Sequence, residues 1–369
     1  MIEYIVILLL IAVLSLKNKH LTEHARNVWL VIIFLYLTLL FGLRYRVGID
    51  TLNYMKLNDI LPSLSEINVV NFFSLGLEPF YVILTAICKE ISDEFFVLQI
   101  AHAIILNFCI IIFFRRHCVN PFSALFWYAV LYALYFSTEI VREGIAISIF
   151  LLNYDNLANR NIRRYYLFSV CSILFHMSAL ITLIFPFCLN LRLDRKFFFI
   201  IIIVSIIVVP CAEYFSQYFT ADIFADRVDK YINLANSNRL NFNWVIFAFA
   251  RLVLLPLTIL FIARISKYND PMAAMVCVGV IFGVGSLLLE VFFSRFTNYT
   301  AIFLCAFMSN MISKVPKAKK YFLCLFLYVT VVWGKYYQEK YVRWFPYHSV
   351  LNPIEDKDRE LFWSNSFNH

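Results

Sequence analysis

Apolar positions along this chain fall in long runs, and the polar residues between them are dominated by Lys and Arg. Alternation of the strand type is absent, and a run of roughly 20 apolar residues is what a helix needs to cross a bilayer. The pattern predicts helices at about 2–16, 28–41, 95–114, 121–137, 139–153, 165–176, 178–190, 196–211, 243–264, 272–292, 296–313 and 319–334. Basic clusters at Lys17–Arg26, Arg115–His117, Arg160–Arg164, Arg192–Lys196, Arg264–Lys267 and Lys314–Lys320 all fall on one side if these helices alternate in direction. That is what the positive-inside rule asks of cytoplasmic loops. Residues 59–91 fit less well: they leave and return to the outer side, yet 79–91 holds one short apolar run, bounded by Glu78-Pro79 and Lys89-Glu90. This is either a re-entrant element or two short spans, and irregular backbone at membrane depth requires protein or water around it. The expected fold is an all-α polytopic membrane protein with about twelve transmembrane helices. It reads as a single transmembrane domain over 1–334, with outer loops at about 42–77 and 212–242 and an aromatic-rich outer-face tail at 335–369.

Composition narrows the class. The 369 residues are 62% apolar and only 15% charged, too few charges to cover a water-soluble surface. A soluble enzyme, a nucleic-acid binder and a disordered chain are thereby excluded. The net charge of +8 is what cytoplasmic loops of a membrane protein accumulate, so it does not point to nucleic acid. Nine cysteines form no C-x-x-C pair and sit mostly inside apolar runs, where they read as small buried hydrophobes. No cluster with metal-ligand spacing occurs, so neither a metal nor another cofactor is expected. The first apolar run is followed by Lys17, Lys19 and His20 rather than a small-residue cleavage site, and reads as an uncleaved first span.

Ionisable groups beside apolar spans are costly, about 2.5–3.5 kcal/mol at a helix centre, so those present invite a functional reading. Five places stand out, all near the outer face by the parity argument. Gly42-Leu43-Arg44-Tyr45-Arg46-Val47-Gly48-Ile49-Asp50-Thr51, followed by Tyr54, places two arginines and an aspartate just past a span; the plain alternative is a solvated loop with an Arg–Asp pair. Glu78-Pro79-Phe80-Tyr81 is equally readable as a helix start, since Glu favours the N-terminal dipole and Pro the first turn. Glu139, Arg142 and Glu143 precede the small residues Gly144, Ala146 and Ser148, and Glu139 can pair with Arg142 at i, i+3. His176 lies in Phe175-His176-Met177-Ser178-Ala179, where it is a hydrogen-bonded core residue or a proton carrier. Glu290, Arg295, Asn298 and Tyr299 form the last group, with a boundary ion pair as the alternative. Arg44, Arg46, Arg142 and Arg295 share one side in this reading. Guanidinium groups are permanently charged forks suited to phosphate, so their convergence would hold a lipid-linked diphosphate without a metal.

These motifs, in this order and spacing over about 40–300, resemble the EpsG/Wzy family of bacterial envelope polysaccharide polymerases. The Gly42–Thr51 segment with Tyr54, Glu78-Pro79, Arg142-Glu143-Gly144-Ile145-Ala146, Phe175–Ala179 and the Arg295–Tyr299 stretch carry the likeness. Glu143 stands where family members usually have Gln. The resemblance implies a GT-C-like inner-membrane glycosyltransferase whose active cavity faces the periplasm. It implies undecaprenyl-diphosphate-linked glycans as donor and acceptor, within membrane lipid, and admits a chain-length regulator as a partner. The growing glycan would move en bloc to the new unit's hydroxyl. Catalytic roles fall to His176 or Asp50 as base and to Arg142. Arg44, Arg46, Arg295, Tyr54, Glu78, Glu143 and Tyr299 would bind the diphosphate or the sugars.

Other readings stay open. A flippase would use the same basic cavity without chemistry, although the internal repeats common in transporters are not seen. A membrane O-acyltransferase explains His176 but gives the arginines no task. A ligase joining glycan to a lipid core would share the diphosphate chemistry and differ in its acceptor.

Overall fold

The computed structural model describes residues 2–67, 75–203, 242–288, 290–316 and 319–361. They are helical, with no strand among them beyond isolated bridges such as Arg44–Ser349. The chain divides into two compact units, Met1–Leu180 with Tyr337–His369, and Ile181–Tyr336. The expected outer loop at 212–242 lies outside the described residues except for its last position.

The first unit is built from α1 (Ile2–Lys17), α2 (Glu23–Gly42), α3 (Thr51–Ile60), α4 (Pro79–Lys89), α5 (Phe95–His117), α6 (Pro121–Leu131), α7 (Ala133–Thr138), α8 (Val141–Ala158) and α9 (Ile162–Ile173). Local chemistry sets their ends. The Thr22 hydroxyl accepts from Ala25 N–H at 3.2 Å to cap α2, and Asn120 Oδ1 accepts from Ser123 N–H at 3.1 Å to cap α6, with Pro121 in its first turn. Arg115, Arg116 and His117 close α5, where cations complement the carbonyl end of the helix. α5 is the central post, packed along α2 and α8. α1 and α2 leave Ile5, Val6, Leu9, Val13, Val28, Val31, Leu35 and Leu39 exposed, a continuous apolar belt suited to lipid.

In the second unit, Phe242–Phe249 runs through a π-helical turn at Ala250–Leu254 into Leu255–Ile265. The Tyr328 hydroxyl donates to Ala250 O at 2.7 Å and so satisfies a carbonyl in that turn. Ala273–Leu288 packs against Glu290–Lys314, and Lys319–Glu339 follows.

Among the described residues, Glu23–Gly42, Phe95–His117 and Val245–Ile265 are long and apolar enough to cross a membrane, and Pro79–Lys89, Pro121–Leu131, Met177–Cys188 and Ala273–Leu287 are shorter apolar helices. The protein is a helical membrane protein. Several expected spans are interrupted. The run expected at 121–137 breaks at Tyr132, and the one expected from 139 starts only at Val141, because Ile140 (φ −113°, ψ 54°) is not helical. The run expected at 178–190 is a 3-10 segment, Met177–Ile184, followed by the short helix Phe185–Cys188. In the difficult stretch, α4 is a single helix of 11 residues. Its rise is about 16 Å, roughly half a 30 Å hydrocarbon core, so by itself it does not span.

The C-terminal tail is not a loose appendage. Trp344 is buried and donates from Nε1 to Thr138 Oγ1 at 3.1 Å, and the Tyr337 and Tyr347 hydroxyls donate to Val130 O and Leu40 O at 2.6 and 2.9 Å. Arg359, only 1% exposed, donates to the carbonyls of Val342, Arg46 and Pro346. The tail thereby grips the loop between α2 and α3.

Candidate functional site

The first turns of two helices meet in the first unit. Glu78 is the residue before α4, held extended (φ −66°, ψ 129°) by the Pro79 that follows it. Arg142 is the second residue of α8, immediately after the break at Ile140. Their side chains form an ion pair at 2.8 Å, with only 19% of Arg142 and 13% of Glu78 exposed. The Arg142 guanidinium lies 5.6 Å from the centre of the Tyr81 ring and within hydrogen-bonding reach of Tyr54. Tyr54, on α3, stacks on Phe95 with centroids 6.5 Å apart.

The turn after α9 completes the cluster. Phe80 N–H donates to Leu174 O at 3.0 Å, Phe80 and Phe175 meet edge to face, and Met177 N–H donates to Glu78 Oε1 at 3.3 Å. These contacts bring His176 beside Glu78. Burial works to raise the Glu78 carboxyl, but the charge of Arg142, with backbone N–H donors, holds it below the ordinary carboxylate range. Ser178 N–H donates to His176 Nδ1 at 3.1 Å, and the Ser178 hydroxyl lies 2.7 Å from the same nitrogen. A backbone N–H can only donate, so Nδ1 carries the lone pair and the ring proton of neutral His176 sits on Nε2.

Four of the residues singled out from sequence, Tyr54, Glu78, Arg142 and His176, are therefore in one place. Others are elsewhere. Arg44 is 1% exposed, and its guanidinium donates to the Phe41 and Val47 carbonyls at 2.5 and 3.3 Å. Burial pushes it down to about 9. Arg46 pairs with Glu355 and Glu360 of the tail at 2.9 and 2.8 Å. Asp50 precedes α3 and interacts electrostatically with Glu139. Glu143 is 2% exposed within α8. Arg295 and Tyr299 belong to the second unit, on Glu290–Lys314, with Tyr299 fully buried. The expected pairing of Arg295 with Glu290 involves a side chain outside those described.

The expected i, i+3 pair between Glu139 and Arg142 does not form. Ile140 breaks the helix between them, so they do not share a face; Glu139 instead meets Arg343 of the tail at 3.4 Å. Glu139 lies in that kink, outside both flanking helices. Burial pushes it up to about 7, more than Arg343 pulls it down.

Tyr81 has no role assigned from its motif Glu78-Pro79-Phe80-Tyr81, and Arg343 and Arg359 stand in no motif. Tyr81 was accessible, three residues after Glu78 on the same helix face; the tail arginines carry no local signal.

The profile of the EpsG family matches residues 27–349. The chain belongs to the EpsG family. The match encloses every residue of the cluster and reaches into both units, so the resemblance seen in the motifs extends over most of this EpsG-family chain. No curated protein and no solved structure matches it. Among the described residues no group of three or more His, Cys, Asp or Glu could hold a metal ion.

Proposed function

We propose that this EpsG-family protein polymerises undecaprenyl-diphosphate-linked oligosaccharide repeat units into a surface polysaccharide. It would sit in the bacterial inner membrane, GT-C-like, with about twelve spans and its site facing the periplasm. The observation that carries this reading is the Arg142 cluster: a guanidinium backed by an acid, an aromatic face and a histidine, assembled from three separate segments. Such a group is a preorganised receptor for phosphate whose geometry does not depend on a metal.

In the proposed reaction the acceptor sugar hydroxyl attacks the anomeric carbon of the donor glycan. The new glycosidic C–O bond forms as the bond to the diphosphate breaks. The diphosphate leaves with the electron pair, and the hydroxyl proton passes to a base. Arg142 stabilises the charge that grows on the leaving diphosphate, and Glu78 fixes the direction of its fork. His176, protonated on Nε2, donates a hydrogen bond to the same group. Asp50 then takes the role of base; it begins the helix that carries Tyr54, whose N–H donates to Asp50 O at 3.0 Å. Arg295 and Tyr299 remain proposed contacts to diphosphate or glycan, while Arg44 and Arg46 shape the loop that holds Asp50.

Reconstitution in vesicles with synthetic diphospholipid-linked repeat units tests this. A ladder of lengthened glycans supports polymerisation. Unchanged substrate delivered across the bilayer indicates a transporter, and the proposal then fails.

A further inference from the structure

Behind the turn that carries Arg142, the interior of the first unit is unexpectedly polar. α5 is one of the helices long enough to span a membrane, yet Gln99 and His102, i, i+3 neighbours on it, are 2% and 0% exposed. Gln99 Nε2 donates to Arg44 O at 3.0 Å, which leaves Gln99 Oε1 with no hydrogen-bond partner in the protein. Neither ring nitrogen of His102 has a partner, nor does Arg44 Nη2, and Arg44 lies within electrostatic reach of His102. Four buried polar atoms, one on a cation, thus converge where α2 ends against α5. Leaving such groups dry is costly, most of all for the charged one.

There is room beside Arg44, though Gln99 and His102 do not line it. A cavity of about 20 Å³ opens against Arg44, lined by Tyr4, Val47, Thr138, Trp344 and Tyr347 among others. One water needs about 10–15 Å³ measured this way. On the other helix, Gly144 faces the imidazole: a Cβ there would fall 2.9 Å from His102 Nε2. Gly144 is two residues from Arg142, so the same α8 turn presents Arg142 on one side and meets His102 on another. His102 is seven residues from the start of α5, about 10 Å along the axis and roughly a third of the way into a 30 Å hydrocarbon core.

We propose that Arg44, Gln99 and His102 form a buried water-binding site at membrane depth, with bound water bridging the end of α2 to the first turn of α8. Water is the ligand the chemistry selects. The site combines donors on Arg44, an acceptor on Gln99 and one of each on neutral His102, and a water molecule can serve all of them in turn. This site is separate from the Glu78–Arg142 cluster and does not depend on the reaction assigned to it.

Water-edited solid-state NMR on the full-length protein in lipid bilayers, with isotope-labelled histidine and isoleucine, tests the inference. The His102 ring signal is identified by its loss in His102→Gln. Magnetisation from water should reach that ring within about twofold of the time it needs to reach exposed His20, as expected for an ordered or slowly exchanging internal water. Transfer as slow as that to the buried Ile110 methyl groups would overturn the proposal. A second sample, Gly144→Ala, places a methyl against His102 Nε2. Transfer to His102 should slow by about fivefold while His176 is unchanged. Equal transfer to His102 in both samples would show that no bound water spans the α5–α8 contact.

Discussion

Substituting Glu78 by Gln removes the acid from the Arg142 pair while keeping its shape. The two charges lie 2.8 Å apart with little exposure on either side. At an effective dielectric constant of 20 their attraction is bounded at about 6 kcal/mol. Desolvation of both groups offsets much of this, but removing one partner from a buried pair leaves the other uncompensated, at about 3–5 kcal/mol. Glu78→Gln and Arg142→Gln should therefore each lower stability by about that amount. The double variant should recover much of the loss, with a coupling energy of about 2–3 kcal/mol. Unfolding of the purified protein by titration with SDS in mixed micelles measures all four species. The sign with pH follows from the depressed Glu78 carboxyl: its stabilisation is present above the ordinary carboxylate range near 4.5 and disappears as pH falls through the lower folded value. Additivity of the two substitutions within about 0.5 kcal/mol would refute the pairing argument.

Other regions give further tests. Gly48 has φ +101°, and a Cβ there would lie 2.7 Å from Thr138 Cβ, so Gly48→Ala should cost about 2 kcal/mol or more in the same titration. Arg359→Ala deletes three hydrogen bonds to carbonyls of the tail and of Arg46; it should destabilise by about 3 kcal/mol and expose 337–361 to limited proteolysis. Glu139, raised to about 7, contributes stability below pH 4.5 that is lost as pH rises towards 7; Glu139→Gln should flatten that part of the profile of thermal midpoint against pH.

Helix positions were largely legible because apolar runs and charge punctuation mark them directly. The runs expected at 95–114 and 319–334 appear as Phe95–His117 and Lys319–Glu339, differing by the polar turn that each helix adds at its end. The break at Tyr132 was hidden, since it sits in uninterrupted apolar sequence, whereas the break at Ile140 lies among Glu139, Arg142 and Glu143, close to the boundary expected between 137 and 139. For the site, residue types were readable and partners were not. Arg142 has an acid three residues away, but the one it meets is 64 residues distant, a choice made by the kink at Ile140 and the extended Glu78. The tail was readable as aromatic and polar. That Arg359 would bind the backbone carbonyl of Arg46, 313 residues earlier, has no local signature.

The central claim is that Arg142 and His176 act on the lipid diphosphate, and glycan extension by reconstituted variants tests it most directly. Arg142→Ala and His176→Ala, inserted in vesicles at the level of the unsubstituted protein, should each extend repeat units at least about 100-fold more slowly, the scale of losing one preorganised donor to a developing anion. Glycan ladders of near-normal length and rate from both variants would contradict the account.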